Sequence, residues 1–195
     1  VAFGNSDTVQ VGEEVLAMGS PMALSQSVTL GIISNCEIVM PQWLGSMGEV
    51  EEDGENVGAL VKWIGHDAEI APGNSGGPLV NMNGEIIGIN EIWMGLGGAI
   101  PGNLARTVFE EIVAKGKVTR AWLGMNVQPR LKQSAVDTGA LISSVLKGAP
   151  AEAAGLQAGD LLVNLNGQPV DVRFDEQLPD FNRIVAGLVI GQITR

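Results

Sequence analysis

Ser75 is the residue of this sequence whose surroundings best suit covalent chemistry. It stands in the glycine-dense run APGNSGGP, residues 71–78, directly before the apolar pair at 79–80. Glycines on both sides let the backbone curl until the N–H groups of Gly73 and Ser75 point toward one spot, as in an oxyanion hole. Taken alone, such a run is more often a tight turn that carries a surface serine, and the alternative is a nucleophilic serine that the surrounding sequence would have to support.

A serine hydroxyl is a weak nucleophile unless a neighbouring group accepts its proton. The only histidine of the chain, His66, precedes the serine loop in a strand-like segment. A lone histidine in such a segment is more often a packed structural residue than a base. A self-sufficient hydrolase that uses His66 with Asp67 or Glu69 stays open as an alternative. It is weakened because adjacent strand residues point to opposite faces.

Short β-rich runs flank the serine loop on both sides. They lie at 15–18, 28–33, 60–64, 86–90 and 98–100 and are separated by Gly, Pro, Ser and Asn. This spacing predicts a small β-barrel or sandwich with a hairpin turn at Asn83 and Gly84. A helix follows at about 104–115, with Asn103 as the expected N-cap and Gly116 as the expected left-handed residue. The first domain is predicted to cover residues 1–116.

A second domain is predicted over residues 121–195, after the basic connector at 117–120. Strand-like runs lie at 123–127, 141–145 and 161–165, and Asn166 with Gly167 is a turn signal. A short helix is expected at 150–154 and a longer one at 175–186, with Asp175 near its cap and Pro179 near its start. The fold class is therefore mainly β, with an α+β second domain.

Composition excludes several classes of function. The 195 residues carry a formal net charge of -11, so a nucleic-acid partner is not expected. No stretch reaches the roughly 20 apolar residues that span a bilayer, so membrane insertion is not expected. One cysteine, Cys36, and one histidine exclude an internal disulfide and a four-thiolate zinc site. We therefore predict no metal and no other cofactor.

The motifs of the chain, taken in order, resemble those of the HtrA/Deg family of trypsin-like serine proteases. That family shows AxGxP, VTxGIIS, TDAxINPGNSGGPL, IGIN and GFAIP segments in sequence. The corresponding residues here are 17–21, 28–34, 66–79, 87–90 and 97–101. The second domain is similar to a PDZ domain, with APAEAAGLQAGD at 149–160. The resemblance implies a trypsin-like C-terminal β-barrel followed by a PDZ-like α+β domain.

Carried over position by position, the resemblance gives each site residue a role. Ser75 becomes the nucleophile, and the backbone N–H groups of Gly73 and Ser75 become the oxyanion donors. An extended substrate would pair with the strand at Asn90, Glu91 and Ile92, next to a P1 pocket suited to small or aliphatic residues. In the PDZ-like domain, the peptide carboxylate would bind a loop of four residues, Trp122, Leu123, Gly124 and Met125. Its groove would lie between strand 123–127 and helix 175–186.

The sequence departs from the family where the catalytic base belongs. In the family, His and Asp precede Ser and lie in an N-terminal barrel, whereas this sequence starts near the link between the two barrels. His66 stands where the family usually has threonine, and Asp67 would support the serine loop. We therefore expect the barrel with His and Asp, and the last PDZ strand, to lie outside these residues. The chain alone is then expected to be nearly inactive.

Two hypotheses from different classes follow. The first is a serine endopeptidase that cleaves unfolded or damaged polypeptides and binds C-terminal peptides through its PDZ domain. The second is a non-catalytic peptide-binding or scaffold protein with a degenerate protease barrel and a PDZ module. For the first, the resemblance implies a trimer-based homo-oligomer in the periplasm or cell envelope and no cofactor.

Overall fold

A computed structural model describes residues 2–20, 27–39, 51–52, 55–56, 60–93, 95–132 and 136–195. Pro21, the last residue of one family-like segment, lies outside the described residues. Within these ranges the chain divides into two compact units: residues up to 39 and from 61 to 118 form one, and residues 51 to 60 together with 119–195 form the other. The division follows Val118, close to the second-domain start expected at Ala121.

The first unit is built around a closed barrel. Its strands are β1 (Ala2–Phe3), β2 (Glu14–Gly19), β3 (Ser27–Ile38), β6 (Trp63–His66), β7 (Pro78–Asn81), β8 (Glu85–Trp93) and β9 (Gly97–Pro101). A separate ladder of β4 (Glu51–Glu52) and β5 (Glu55–Asn56) is assigned to the second unit. The order β8-β7-β2-β3-β6-β9 closes because β9 also pairs with β8. All these pairings are antiparallel, and β1 adds to β8 in parallel.

The barrel interior is filled by apolar side chains at alternate strand positions, as expected for a small barrel. On β2, Val15 and Ala17 point inward and are buried. They meet residues from β3, β6, β7, β8 and β9, and the core cluster contains Ile33, Ile64, Leu79, Ile87 and Ala99. The predicted barrel is therefore confirmed.

The predicted run at 60–64 is displaced, since β6 covers Trp63–His66. All four residues of β6 are buried between β3 and β9. Such a strand shows no alternation of apolar and polar residues, so the sequence pattern could not define its bounds. The predicted turn at Asn83 and Gly84 is confirmed between β7 and β8, and Gly84 adopts φ 79°.

Helix α1 spans Gly102–Lys115 and follows β9. The prediction that Asn103 caps it is wrong, because the N-cap is Pro101. The N–H of Asn103 donates instead to the hydroxyl of Ser6 at 3.0 Å. Ser6 belongs to a short 3-10 turn, Ser6–Thr8, near the start of the unit. At the other end Gly116 adopts φ 74° and donates to Ile112, as predicted.

The second unit is an α+β arrangement around an open sheet. Its elements are β10 (Met125–Pro129), β11 (Ala140–Val145), α2 (Pro150–Ala153), β12 (Leu161–Leu162), β13 (Asn164–Leu165), β14 (Gln168–Pro169) and α3 (Leu178–Ala186). The sheet order is β10-β11-β12, and β13 pairs with β14. Asn166 and Gly167 join the latter two with φ 52° and 83°, which suits a type I′ turn and confirms that prediction.

Several boundaries of this unit differ from the prediction, and the predicted strand at 161–165 is divided into β12 and β13, which belong to different sheets. The strand begins at Met125 instead of Leu123, because Gly124 adopts φ 72° and ends the extended backbone. Helix α3 begins at Leu178 after a 3-10 turn, so Asp175 is the first residue of that turn. The side chain of Gln177 accepts the N–H groups before the turn, from Arg173 at 2.6 Å and from Phe174 at 3.1 Å.

The core of the second unit lies between α3 and the strands. Phe181 of α3 is buried together with Ala140, Leu165, Val170 and Val172. Pro179 stands in the first turn of α3, where its missing N–H costs no helical hydrogen bond. No described helix has the length and apolar character needed to cross a membrane.

Candidate active site

The serine loop joins β6 to β7 through two consecutive turns. The N–H of Asn74 donates to the carbonyl of Ala71 at 2.9 Å, and the N–H of Gly77 donates to the carbonyl of Asn74 at 2.9 Å. Gly73 and Gly76 adopt φ 108° and 83°, which favours glycine at both positions. Ser75, between them, is exposed. The local sequence thus curls the chain and leaves the serine at the surface.

Strand β8 holds the loop from one side. The N–H of Gly76 donates to the carbonyl of Asn90 at 2.7 Å, and the N–H of Asn90 donates to the carbonyl of Gly77 at 2.8 Å. The Ser75 hydroxyl donates to the carbonyl of Glu91 at 3.0 Å. The structure therefore brings together Ser75, Asn90 and Glu91, three of the predicted site residues.

Strand β2 approaches the loop so closely that glycine is required. A Cβ atom on Gly77 would lie 2.0 Å from the carbonyl oxygen of Met18. A Cβ atom on Gly19 would lie 2.4 Å from Oδ1 of Asn74. The N–H of Ser20 donates to the carbonyl of Gly73 at 3.1 Å. The loop is thus held between β2 and β8, and this contact explains glycines that the sequence alone assigns only to turns.

The two predicted oxyanion donors stand on either side of a buried residue. In the described part of the chain, neither Gly73 nor Ser75 donates its backbone N–H to an acceptor. Asn74 is 2% exposed, and its Oδ1 receives no hydrogen bond from a described residue. Unpaired N–H groups beside an exposed serine are what oxyanion binding requires. Their role stays a prediction.

Glu91 places an acidic side chain on the strand segment that the sequence analysis predicted to bind substrate. The register of β8 against β9 shifts between Asn90 and Ile92, and Glu91 lies at this irregularity. Its side chain is half-buried, and burial raises the pKa of its carboxyl. Ile92 lies over β9, where a Cβ atom on Gly98 would come within 2.4 Å of it.

Asn90 lies inside the barrel wall and is 0% exposed. Both of its backbone groups are bonded to the serine loop, and its Nδ2 donates to the carbonyl of Pro78 at 3.1 Å. Asn90 therefore supports the serine loop. For Asn90 to pair with a substrate as predicted, its backbone would have to exchange its hydrogen bonds to Gly76 and Gly77. Glu91 and Ile92 lie further along the strand, past these bonds.

His66 is buried on β6 with no exposed surface. Its Nε2 lies 3.1 Å from Oδ1 of Asn90. Because Nδ2 of Asn90 donates to Pro78, Oδ1 is an acceptor and His66 must carry its proton on Nε2. Burial lowers the pKa of His66, and the Asn90 hydrogen bond, the Ala68 backbone and the Asp67 charge oppose this only in part. The imidazole is thus neutral near pH 7.

The contacts of His66 test whether it could act as the base for Ser75. The Nε2 proton of His66 points to Asn90, and the ring is sealed inside the barrel. Nδ1 has no hydrogen-bond partner among the described residues. Asp67 supports β3, since its carboxylate accepts the N–H of Ile32 at 2.6 Å. This is the environment of a structural histidine, and Asp67 holds the strand instead of the serine loop.

The predicted carboxylate-binding loop lies at the start of β10. Trp122 is exposed, and Gly124 is packed so tightly that a Cβ atom there would lie 2.1 Å from Cβ of Ala149. The carbonyls of Leu123 and Gly124 accept N–H groups of Ala151 and Leu146 at 2.9 and 2.8 Å. These bonds tie the loop to the residue directly after β11 and to α2. β10 is the edge strand of its sheet, and Leu123 and Met125 pack into the core that contains Phe181 of α3.

Among the described residues, no group of three or more His, Cys, Asp or Glu side chains could hold a metal ion. Cys36 donates from Sγ to the carbonyl of Val9 at 3.3 Å. Burial, with Glu13 and Glu37 nearby, raises the pKa of its thiol, so it is a poor nucleophile. Ser75 remains the nucleophile candidate of the barrel.

Comparison with known proteins agrees with this arrangement. The family model described as trypsin-like peptidase domain matches residues 1–89, and the PDZ domain model matches residues 111–184. The chain is 40% identical over 205 residues to the probable periplasmic serine endoprotease DegP-like of Ectopseudomonas mendocina, covering 98% of this chain and 39% of that protein. A protein of the same name from Chlamydia trachomatis is 37% identical over 88% of this chain and 34% of its own length.

Solved structures give the same result. The HtrA-type protease AlgW with a decapeptide superposes with a TM-score of 0.78 at 31% identity, covering 98% of this chain and 57% of that one. The serine endoprotease of Yersinia pestis superposes with a TM-score of 0.66 at 30% identity, covering 100% of this chain and 64% of that one. Fold and matches together define a trypsin-like protease barrel followed by a PDZ domain. The chain belongs to the HtrA/Deg family of trypsin-like serine proteases, and it spans 39% or less of the two DegP-like relatives.

The contacts of Ser75 with Glu91 and of Asn90 with His66 are what the sequence analysis missed. The IGIN segment marked Asn90 as part of the site but gave no sign of its contact with His66. No sequence pattern gave this contact, because the pairing of His66 with Gly97 is decided by the register of β6 against β9. A large side chain opposite a glycine indicates that the ring fills the missing Cβ volume.

Proposed function

We propose that the protein containing this chain is a serine endopeptidase that acts on unfolded or damaged polypeptides. Residues 1–116 form the serine-bearing barrel in this proposal, and residues 121–195 form a PDZ domain that binds C-terminal peptides. The observation that carries the proposal is the exposed Ser75 in a glycine loop held between β2 and β8, with its hydroxyl 3.0 Å from the Glu91 carbonyl.

Ser75 attacks the scissile carbonyl in this mechanism, and the N–H groups of Gly73 and Ser75 stabilise the negative oxygen that forms. The exposed position of Ser75 and the unpaired state of both N–H groups in the described chain support these roles. Substrate enters as an extended strand along Glu91 and Ile92. The Glu91 carbonyl then exchanges the Ser75 hydroxyl for a substrate N–H, which frees the nucleophile.

The base that accepts the Ser75 proton is supplied from outside these 195 residues. His66 is the only histidine of the chain, and its Nε2 proton is committed to Asn90. The family's chain order, in which His and Asp precede Ser, supports a base upstream. Without it, the oxyanion hole and binding contribute about 10³ to 10⁴ over water.

The second unit binds the free carboxylate of a peptide through the loop Trp122, Leu123, Gly124 and Met125. The open edge of β10 supports this role, because an edge strand offers unpaired N–H and C=O groups to an added strand. The peptide lies between β10 and α3. The relatives named periplasmic support an extracytoplasmic location, and a trimer-based homo-oligomer is part of the same proposal.

The test is fluorophosphonate labelling of Ser75 at neutral pH, in this chain and in the longest native form of the protein. Ser75→Ala is the control, since it removes the nucleophile and leaves the loop glycines. We expect labelling of the longer form and little labelling of this chain. Rapid labelling of this chain would contradict a base outside these residues. Failure of both forms would favour the peptide-binding scaffold.

A further inference from the structure

A titratable side chain lies one hydrogen bond away from the residue that holds the serine loop. His66 is bonded to Asn90 at 3.1 Å, and Asn90 is bonded to Gly76 and Gly77 through its own backbone at 2.7 and 2.8 Å. Gly76 follows Ser75 directly. The proposed mechanism does not use His66, although it is the only imidazole in the chain.

The surroundings of His66 leave the ring no alternative position. A Cβ atom on Gly97 would lie 2.3 Å from Cε1 of His66, so the ring packs directly on the backbone of β9. On the opposite side Ile33 of β3 pairs with His66. The imidazole is therefore held against Asn90 by close packing on both neighbouring strands.

We propose that His66 is a positioning residue for Ser75, which acts through Asn90 to fix the serine loop and releases it when the imidazole is protonated. This inference rests on the proposed role of Ser75 as nucleophile. In the neutral state, the Nε2 proton fixes Oδ1 of Asn90, which in turn directs Nδ2 to the carbonyl of Pro78. The carboxamide is then locked between β6 and β7, and the backbone of Asn90 holds the loop.

Protonation adds a second N–H to a buried ring, and the Ala68 backbone and the Asp67 charge offset the cost of burying that charge only in part. Nδ1 is buried and has no hydrogen-bond partner among the described residues. The charged group nearest along the chain is Asp67, whose carboxylate is already bonded to Ile32. The residues paired with His66 on β3 and β9 are Ile33 and Gly97, and neither is charged. On β8, the charged residue next to Asn90 is Glu91. A buried imidazolium is costly because desolvation outweighs these favourable contacts, and local loosening of the Asn90 contact relieves that cost.

The direction of the pH effect follows from the environment of the ring. Burial lowers the pKa of His66 below its ordinary value of about 6.5. Its contribution to stability is therefore complete above that value and is lost as the pH falls through the folded-state pKa. The serine loop is expected to loosen in acid and to be fixed at neutral and alkaline pH.

The coupling can be measured without any catalytic activity. Because the chain has one histidine, a single imidazole resonance reports its titration in an NMR experiment on the full chain. We expect the backbone amides of Gly76 and Gly77 to shift with the same midpoint. In His66→Gln, which donates from its amide but does not titrate, these shifts should vanish over the pH range in which the wild-type imidazole titrates. His66→Phe, which fills the space without donating, should displace both amides at every pH.

A matched control is Glu69→Gln, which removes an exposed carboxyl three residues away and should leave the midpoint unchanged. The proposal is overturned if the loop amides do not follow the imidazole, or if they still shift in His66→Gln. Thermal unfolding of each variant separates loss of the loop contact from loss of the fold.

The functional readout is the rate of Ser75 labelling in the longest native form, at pH 8 and at a pH below the imidazole midpoint that the NMR titration gives. When one inhibitory protonation is removed, the fall of the labelling rate in acid becomes shallower by up to about tenfold per pH unit. His66→Gln should therefore lose a smaller part of its labelling rate in acid than the wild type does. An equal loss overturns the role of His66 in positioning Ser75. If no form is labelled, the proposed protease function fails, while the NMR titration still decides the coupling.

Discussion

The two units of this chain differ in whether their sheets have an open edge strand. In the first unit, β8 and β9 pair to close the barrel, and the serine loop bonds to β2 on one side and β8 on the other. In the second unit, the sheet order β10-β11-β12 leaves β10 at an edge. A nucleophile needs fixed geometry, which closure gives, whereas recognition of an extended peptide needs unpaired backbone, which an open edge gives.

The same difference appears in how each site uses glycine. Gly77 is required because the carbonyl of Met18 occupies the place of a Cβ atom. Gly124 is required both by φ 72° and by the Cβ of Ala149. In the barrel the close contact is with a neighbouring strand, so a larger residue would separate strands. In the second unit it is with a side chain, so a larger residue would displace only the binding loop.

The largest expected effect comes from Phe181→Ala in the second unit. Phe181 is 4% exposed at the centre of that core, so its truncation should lower the free energy of unfolding by about 3–5 kcal/mol. Hydrogen exchange read by mass spectrometry should report loss of protection in residues 121–195 alone. The exposed Phe174 gives a matched control, since Phe174→Ala should cost far less. Equal loss in the barrel would mean that the two units unfold together.

Gly77→Ala tests the closed side of the comparison. Its Cβ atom would meet the Met18 carbonyl at 2.0 Å, and relief requires β7 to move from β2. Overpacking of this kind costs about 1–3 kcal/mol, and labelling of Ser75 should be lost. Gly84→Ala has open space around its Cβ atom and φ 79°, so it should cost about 1 kcal/mol and leave labelling intact. Equal labelling of the two variants would contradict the strand contact.

Gly124→Ala tests the open side. Its Cβ atom would lie 2.1 Å from that of Ala149, and the left-handed backbone adds strain of about 1–2 kcal/mol. Binding of a peptide with a free, apolar C-terminus should weaken at least tenfold, a change of about 1.4 kcal/mol that calorimetry measures. Gly148→Ala, with φ 80° and no atom within 4 Å, is the control for backbone strain alone. Unchanged affinity would remove this loop from the peptide site.

Glu91→Gln should have the smallest effect on stability. Burial raises the pKa of Glu91, so this group makes the folded state less stable as the pH rises through the ordinary glutamate value toward the folded one. The neutral variant should lose that slope and be slightly more stable at pH 7. Chemical denaturation at pH 4 and pH 7 provides the measurement, and Glu69→Gln serves as the exposed control. A variant that is less stable at pH 7 would indicate a partner for the carboxylate.

The sequence predicted the strands whose apolar residues alternate. Val15 and Ala17 on β2, and the turns at Gly84 and Gly167, lie where the pattern indicated. β6 was misplaced because every residue in it is buried, which erases the alternation. The cap of α1 was wrong because Ser6 supplies the acceptor from a distant part of the chain. Local signals were therefore reliable only where local interactions decide the structure.

The site was predicted in part for the same reason. Ser75 and its glycines form a local motif, and the family resemblance gave them a function. The bond from Ser75 to Glu91 and the bond from Asn90 to His66 join residues on different strands. Their partners are decided by barrel closure and by the volume that Gly97 leaves for the imidazole. No spacing in the sequence encodes that volume.

The hydrogen bond from Asn103 to the hydroxyl of Ser6 also concerns the order in which the chain is made. The two residues are 97 positions apart, so the acceptor leaves the ribosome long before its donor exists. Closing so long a loop costs more entropy than closing a short one, and the contact forms late. The serine loop, at residues 71–77, is synthesised before that closure. Because Gly76 and Gly77 bond to Asn90, the loop is fixed only once β8 has been made, and the contact of Asn103 with Ser6 follows after a further stretch of synthesis.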